Sequence, residues 1–289
     1  MIIALFGPTA VGKTELAIAL ARRLRARGEQ PVAVSADALQ VYRGLELLTG
    51  APPAGCELEH RLVSFLPVDA RFSVAEYAGL AHAEIDGLLR NGATPIVIGG
   101  TGLYLRAALG ELTLRPAAPG HVRARWVAEL ERRGPHALHD ALRTRAPEAA
   151  RRIDRNDSHR IVRALELHEM GALEQPEGEL WTDATRHPTR LVGLVREREQ
   201  LYRRIDARVE QMLQAGATEQ VRAAHAAGAS ETARAALGFE ELLSGDVEAM
   251  KRRTRNYAKR QLTWMRKLAG VEIFDAGSSS ADELAARLA

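Results

Sequence analysis

Gly7-Pro8-Thr9-Ala10-Val11-Gly12-Lys13-Thr14 stands between an unbroken apolar run, Ile2 to Phe6, and a stretch from Glu15 to Leu24 with apolar residues at Leu16, Ala19, Leu20 and Leu24. The run reads as a strand buried on both faces of a parallel sheet, and the later spacing reads as a helix. Strand, loop and helix in that order are the context that gives meaning to a G-x-x-x-x-G-K-[ST] pattern. The glycines let backbone N–H groups converge on one point, where the N-terminal end of the helix adds its positive dipole. Lys13 supplies a cation, and the Thr14 hydroxyl is a candidate Mg²⁺ ligand. A fortuitous glycine turn is the bland alternative, and the strand-to-helix context argues against it. Gly7 to Thr14 is therefore expected to hold a compound with two or more phosphates.

Further along, Pro31 to Ser35 and Pro95 to Ile98 read as buried strands, and Leu191 to Val195 as another. Ser73 to Leu89 reads as a helix with Ser73 as N-cap and Glu76 completing a capping box. Gly99-Gly100-Thr101-Gly102 leads into a helix from about Leu103, and a long helix runs from about Arg198 to Ala215, where Gly216 can end it. Strands alternating with helices predict an α/β fold with a P-loop-type parallel sheet flanked by helices. From about Arg115 to Pro188 the pattern is helical and polar, interrupted by Pro116, Pro119, Pro135, Pro147, Pro176 and Pro188. The expected organisation is a first core segment, 1–114, an all-helical insertion, 115–190, and a second core segment, 191–289. The tail after Gly277 is weakly patterned.

Composition sets outer bounds. The 289 residues are 46% apolar and 4% aromatic, and 40 Lys/Arg against 37 Asp/Glu leave a net charge of +3. A charge that small does not by itself argue a nucleic-acid partner, so its distribution has to. The single cysteine, Cys56, excludes a disulfide framework and a Cys-based zinc site. The first residues do not form a secretory leader, and no stretch approaches the roughly 20 apolar residues of a membrane helix. A soluble, cytoplasmic protein with no membrane partner is expected. Nothing indicates an obligate protein partner, so a monomer is the default.

The identity of the phosphate compound is a separate question. Proteins that hydrolyse nucleoside triphosphates usually carry an acid at the end of a second strand, but here Pro95 to Ile98 runs into Gly99-Gly100-Thr101. The carboxylate at hand is Asp37, just past Pro31 to Ser35, on the sheet edge where ligands of such folds sit. Taken alone it reads as a loop cap. Beside a phosphate loop it reads as a group that holds Mg²⁺-bound water or accepts a proton.

Six segments in order carry a more specific resemblance. They are the phosphate loop, Ser35 to Gly44 (SADALQVYRG), Ile98 to Leu105 (IGGTGLYL), Asn156 to Glu166 (NDSHRIVRALE), Arg196 to Ile205 (REREQLYRRI), and Thr254 to Trp264 (TRNYAKRQLTW). Over nearly the whole chain the sequence resembles the bacterial tRNA isopentenyltransferases, the tRNA dimethylallyltransferase family. The resemblance implies transfer of a dimethylallyl group from dimethylallyl diphosphate to N6 of the adenine 3′ of the anticodon, in tRNAs that read codons starting with U, with Mg²⁺ as cofactor. The phosphate loop would then grip a diphosphate leaving group. Carried over by motif, Asp37 is the expected general base, Thr101 meets the target nucleotide, and Arg198 pairs with the diphosphate opposite Lys13. Asp37-Ala38-Leu39-Gln40, Thr101, Arg123 and His159-Arg160-Ile161-Val162-Arg163 are the implied tRNA contacts. There are departures from the family pattern. Ala38 replaces a serine, Leu48-Thr49-Gly50-Ala51-Pro52 lacks a lysine, His60-Arg61 replaces paired histidines, and Phe239 replaces a tyrosine.

Charge distribution supplies an independent argument. Lys251 to Lys267 holds eight Lys/Arg and no Asp or Glu. A solvated helix face normally mixes signs, so this one is expected to meet tRNA phosphates through residues such as Arg252, Arg253 and Arg255. Rival readings remain at this level: a small-molecule kinase, a P-loop switch, or an isopentenyltransferase acting on free adenine nucleotides. The first is opposed by the all-basic stretch, the second by the missing strand-end acid, and the third by the helical insertion.

Overall fold

A computed structural model describes residues 1–53, 55–173 and 182–289. The chain divides into two compact units, one of residues 1–112 and 180–289, the other of residues 113–179.

The first unit is built on six strands: β1 Ile2–Phe6, β2 Pro31–Ala36, β3 His60–Arg61, β4 Thr94–Gly99, β5 Thr189–Val195 and β6 Glu272–Asp275. They form one sheet in the order β3-β2-β4-β1-β5-β6, with every pairing parallel. Central β1 explains its own sequence. Ile2, Ala4 and Phe6 enter the core on one face, with Tyr77, Ala81 and Ile85 of the Val74–Arg90 helix. Ile3 and Leu5 enter the opposite core, with Leu16 and Leu20 of the Lys13–Ala26 helix and Leu201 and Ile205 of the Arg198–Gln214 helix. A strand covered on both sides has no polar face to alternate with. The expected capping box also forms: the Ser73 hydroxyl accepts from the Glu76 amide at 3.2 Å, and the Glu76 carboxylate accepts from the Ser73 amide at 2.8 Å.

The edges were not legible in advance. β3 has only two residues, and in β6 only Phe274 is buried, so neither carries a hydrophobic signal. The weakly patterned tail folds as a helix, Ala281–Leu288, capped by Ser280 and Glu283 and burying Leu284, Ala285 and Leu288. Among the described residues no helix is long and apolar enough to cross a membrane.

The second unit is helical. Gly120–Arg145 bends at Gly134 (φ 77°), just before Pro135; Pro147–Arg152 and Ser158–Glu169 follow. Val122, Trp126, Leu138, Leu142, Ile161 and Leu165 form its core. Pro147 occupies the first turn of its helix, where a missing N–H costs nothing. Pro176 lies outside the described residues. The unit covers 113–179 against the 115–190 expected from composition, because the residues before β5 belong with the sheet. The Arg186 amide donates to the Leu109 carbonyl at 2.8 Å, and its guanidinium grips Asp86 at 3.2 and 3.0 Å.

His187 Nε2 also lies 2.7 Å from Asp86 Oδ1. The Arg186 and His187 hydrogen bonds hold the Asp86 carboxyl at about 2, below its ordinary 3.8. A depressed carboxyl pKa stabilises the fold above the unfolded value, and that contribution is lost as pH falls through the folded one. Asp86→Asn is thus expected to lower the thermal midpoint at neutral pH, with the gap from the unchanged protein closing between about pH 4 and pH 2. A gap independent of pH would exclude this network as its source.

Candidate active site

The carboxyl ends of β1, β2 and β4 converge on a cavity of about 870 Å³. The phosphate loop follows β1. Gly12 holds φ 120° as N-cap of the Lys13–Ala26 helix and provides no side-chain cap, which leaves the helix amides to an anion. Ala10 adopts φ 62°, a left-handed conformation that costs an alanine roughly 1–2 kcal/mol. Its carbonyl accepts from Arg204 Nε at 2.7 Å. Lys13 Nζ donates to the Gly7 and Pro8 carbonyls at 2.9 and 2.8 Å. Burial, and next the neighbouring Arg208 charge, lower the Lys13 ammonium to about 8, while Asp37 acts in the opposite sense. A cation held this way gains from an arriving polyanion.

Asp37 follows β2 and lines the same cavity. Its Oδ1 accepts from the Leu39 amide at 2.9 Å, the turn geometry that aims the carboxylate, while Gln40 accepts from the Ser35 hydroxyl at 2.8 Å. Thr101 occupies the N-cap position of the Gly102–Leu109 helix without capping it. Its hydroxyl instead meets the Tyr257 hydroxyl at 2.9 Å. Burial, with the Asp37 charge next, pushes the Tyr257 phenol up to about 12, so it stays a neutral hydroxyl. Thr9, Ala10, Gly12, Lys13, Thr14, Asp37, Ala38, Leu39, Gln40 and Thr101 all line this one cavity. Of the loop's other members, Gly7 and Val11 are buried, and the Pro8 carbonyl is held by Lys13.

Arg198 is not brought there. It is exposed, donates to the Tyr202 hydroxyl at 3.2 Å and lies over that ring. The arginine of this helix that enters the cavity wall is Arg208, with Arg204 one turn before it. The Arg208 guanidinium packs against Gly50, where any Cβ would collide with it, and burial lowers its pKa. Ten residues separate the two arginines, about 15 Å along a helix. The detectable signal was the pair Ile205 and Val209: a helix that buries these two turns Arg204 and Arg208 to an adjoining face.

A family model described as IPP transferase matches residues 40–268 of the chain. The chain belongs to the IPP transferase family. It is 41% identical to a tRNA dimethylallyltransferase of Kineococcus radiotolerans, over 92% of this chain and 88% of that protein. With the Thermobifida fusca tRNA dimethylallyltransferase the identity is 39%, over 92% and 87%. Among solved structures, the full-length tRNA isopentenylpyrophosphate transferase of Bacillus halodurans aligns at a TM-score of 0.70 and 32% identity, covering 99% of this chain and 93% of that one.

In this IPP transferase chain the basic stretch is the Val247–Met265 helix, which buries Met250, Ala258, Gln261 and Met265. Acids outside Lys251 to Lys267 pair with its cations. From neighbouring helices Glu241 meets Arg253, Asp206 meets Arg255 at 3.1 Å and Glu210 meets Lys251, which also pairs with Glu248 in the first turn of its own helix. Arg252 is exposed and carries no ion pair among the described residues. In the helical unit, His159 and Arg160 are exposed, whereas Ile161 and Val162 are core residues. Arg123 and Arg163 share the buried Glu166, at 3.2 and 3.1 Å.

Proposed function

We propose that this chain transfers the dimethylallyl group of dimethylallyl diphosphate to the exocyclic N6 of the adenine 3′ of the anticodon, in tRNAs reading codons that start with U. The products are N6-dimethylallyladenosine and diphosphate. The supporting observation is one cavity that joins a phosphate loop, Lys13 and Arg208 to a carboxylate, Asp37, while β4 ends in Gly99-Gly100-Thr101 without an acid. The N6 lone pair attacks the allylic C1, and the C1–O bond breaks with its electrons passing to the diphosphate. Asp37 orients the amine and takes its proton. The loop amides, Lys13 and Arg208 stabilise the charge that builds on the leaving group. Thr101, held by Tyr257, faces the extruded adenine, which leaves the anticodon stack to reach this site.

Among the described residues no cluster of three or more His, Cys, Asp or Glu could hold a metal. Mg²⁺ would be held by the exposed Thr14 hydroxyl together with the diphosphate. The cation would neutralise charge on the leaving group. Asp37 to Gln40, Arg123, His159, Arg160, Arg163 and the Val247–Met265 helix are the tRNA contacts of this reading, and the cytoplasm is where such a substrate is found.

The test is mass spectrometry of an adenosine-containing anticodon stem-loop incubated with protein, Mg²⁺ and dimethylallyl diphosphate. A dimethylallyl adduct at the target adenine is expected; an unmodified stem-loop would sink the reading. Labelled ATP should show no tRNA-stimulated phosphate release, and robust release would favour a kinase or switch.

The ion pairs sharpen the electrostatic expectation. Arg252→Gln should reduce the slope of log affinity against log salt by somewhat under 1. Arg253→Gln and Arg255→Gln should change it less, because Glu241 and Asp206 already neutralise those cations. Equal slopes for all three variants and the unchanged chain would make the stretch a solvated face.

A further inference from the structure

Gln261 stands apart from the groups assigned above. It is uncharged within a basic stretch, 4% exposed, and reaches the cavity from the Val247–Met265 helix. Its carboxamide oxygen accepts from the Thr9 amide at 2.9 Å, and its nitrogen donates to the Gly100 carbonyl at 2.8 Å. Thr9 lies in the phosphate loop after β1, and Gly100 in the loop after β4 that leads to Thr101. The two strands are neighbours, with Phe6 opposite Gly99. One turn earlier on the same helix, Tyr257 holds the Thr101 hydroxyl at 2.9 Å. Gly100 makes room for this arrangement, since a Cβ there would collide with Gln261 Nε2.

We infer that Gln261 is a positioning residue that sets the phosphate loop in register with the Gly100–Thr101 loop, and so fixes the distance between the leaving group and the nucleotide to be modified. The inference rests on the proposed dimethylallyl transfer. A side-chain amide is suited to the task because it donates and accepts at once and carries no charge. The Thr9 amide and the Gly100 carbonyl are backbone groups, so the register is read from the loops themselves. A charged residue here would disturb the field that Lys13 and Arg208 present to the diphosphate. Misplacement of reacting groups by about 1 Å costs on the order of 10²-fold in rate.

Three variants test it in the stem-loop assay. Gln261→Met keeps the length and loses both hydrogen bonds. Gln261→Glu accepts from Thr9 in either protonation state, but donates to Gly100 only when protonated. Gly100→Ala displaces the carboxamide from the other side. Single-turnover rates are measured with saturating stem-loop, well below each thermal midpoint, alongside stem-loop affinity. Gln261→Met and Gly100→Ala are expected to lose on the order of 10²-fold in rate with stem-loop affinity unchanged, and the double variant to lose no more than either single one. The rate of Gln261→Glu relative to the unchanged chain should rise as pH is lowered, a recovery that a packing role would not produce. Folded Gln261→Met with a near-normal rate, or a Gln261→Glu ratio that is flat with pH, would overturn the inference. An unchanged chain that modifies no stem-loop would instead refute the proposed reaction, so the two failures are distinguishable.

Discussion

Asp37→Asn is expected to lower the single-turnover rate of dimethylallyl transfer by about 10²–10⁴-fold, the range associated with loss of a general base. The substitution is chosen for its geometry. Asparagine retains the oxygen that accepts from the Leu39 amide at 2.9 Å, so the turn after β2 survives. What is lost is the capacity to take a proton from N6 as the new bond forms. Stem-loop affinity and the thermal midpoint should therefore stay close to those of the unchanged chain. Asp37→Ala removes the turn contact as well, and any further loss it shows measures orientation. A near-normal rate for Asp37→Asn would remove this carboxylate from the chemistry and leave it as a loop cap.

Arg208→Ala should be as severe by a different route. Removing one preorganised donor to a developing anion costs roughly 10²–10³-fold in rate, and in the proposed reaction Arg208 would also bind the ground-state diphosphate, so the donor KM should rise too. Arg208→Lys should recover only part of the loss, because an ammonium lacks the planar fork that matches phosphate oxygens. Arg198→Ala is the matched control, since that side chain is exposed and rests on Tyr202. A larger loss at Arg198 than at Arg208 would return the role to the residue named by motif position. The Lys13 ammonium adds a pH signature. Its value of about 8 means that the cation is present at neutral pH and is lost as pH rises through that value. Donor affinity should weaken across this range in the unchanged chain, while Lys13→Ala should bind weakly throughout.

The phosphate loop, the four central strands, the Ser73 capping box and the placement of Asp37 and Thr101 were legible in the sequence. Each depends on residues close together in the chain. A buried strand must be apolar on both faces, a tight loop needs its glycines where φ turns positive, and a helix announces its start with a cap. The resemblance across six ordered motifs added the chemistry, and the match to the IPP transferase family agrees with it. Local rules did not reach the edge strands β3 and β6, which bury too little to leave a pattern. Nor did they choose between Arg198 and Arg208, since both lie on one correctly predicted helix and only its rotation against the sheet turns one into the cavity. The basic stretch shows the same division. Lys251 to Lys267 holds no acid, yet Glu241, Asp206 and Glu210 reach it from other helices and neutralise three of its cations. Gln261 meets partners 252 and 161 residues away in the chain. Spacing along a chain fixes which backbone conformations form, because those forces are short in sequence. Which side chains then converge on one point is decided by packing between distant segments, and only the tertiary structure records it.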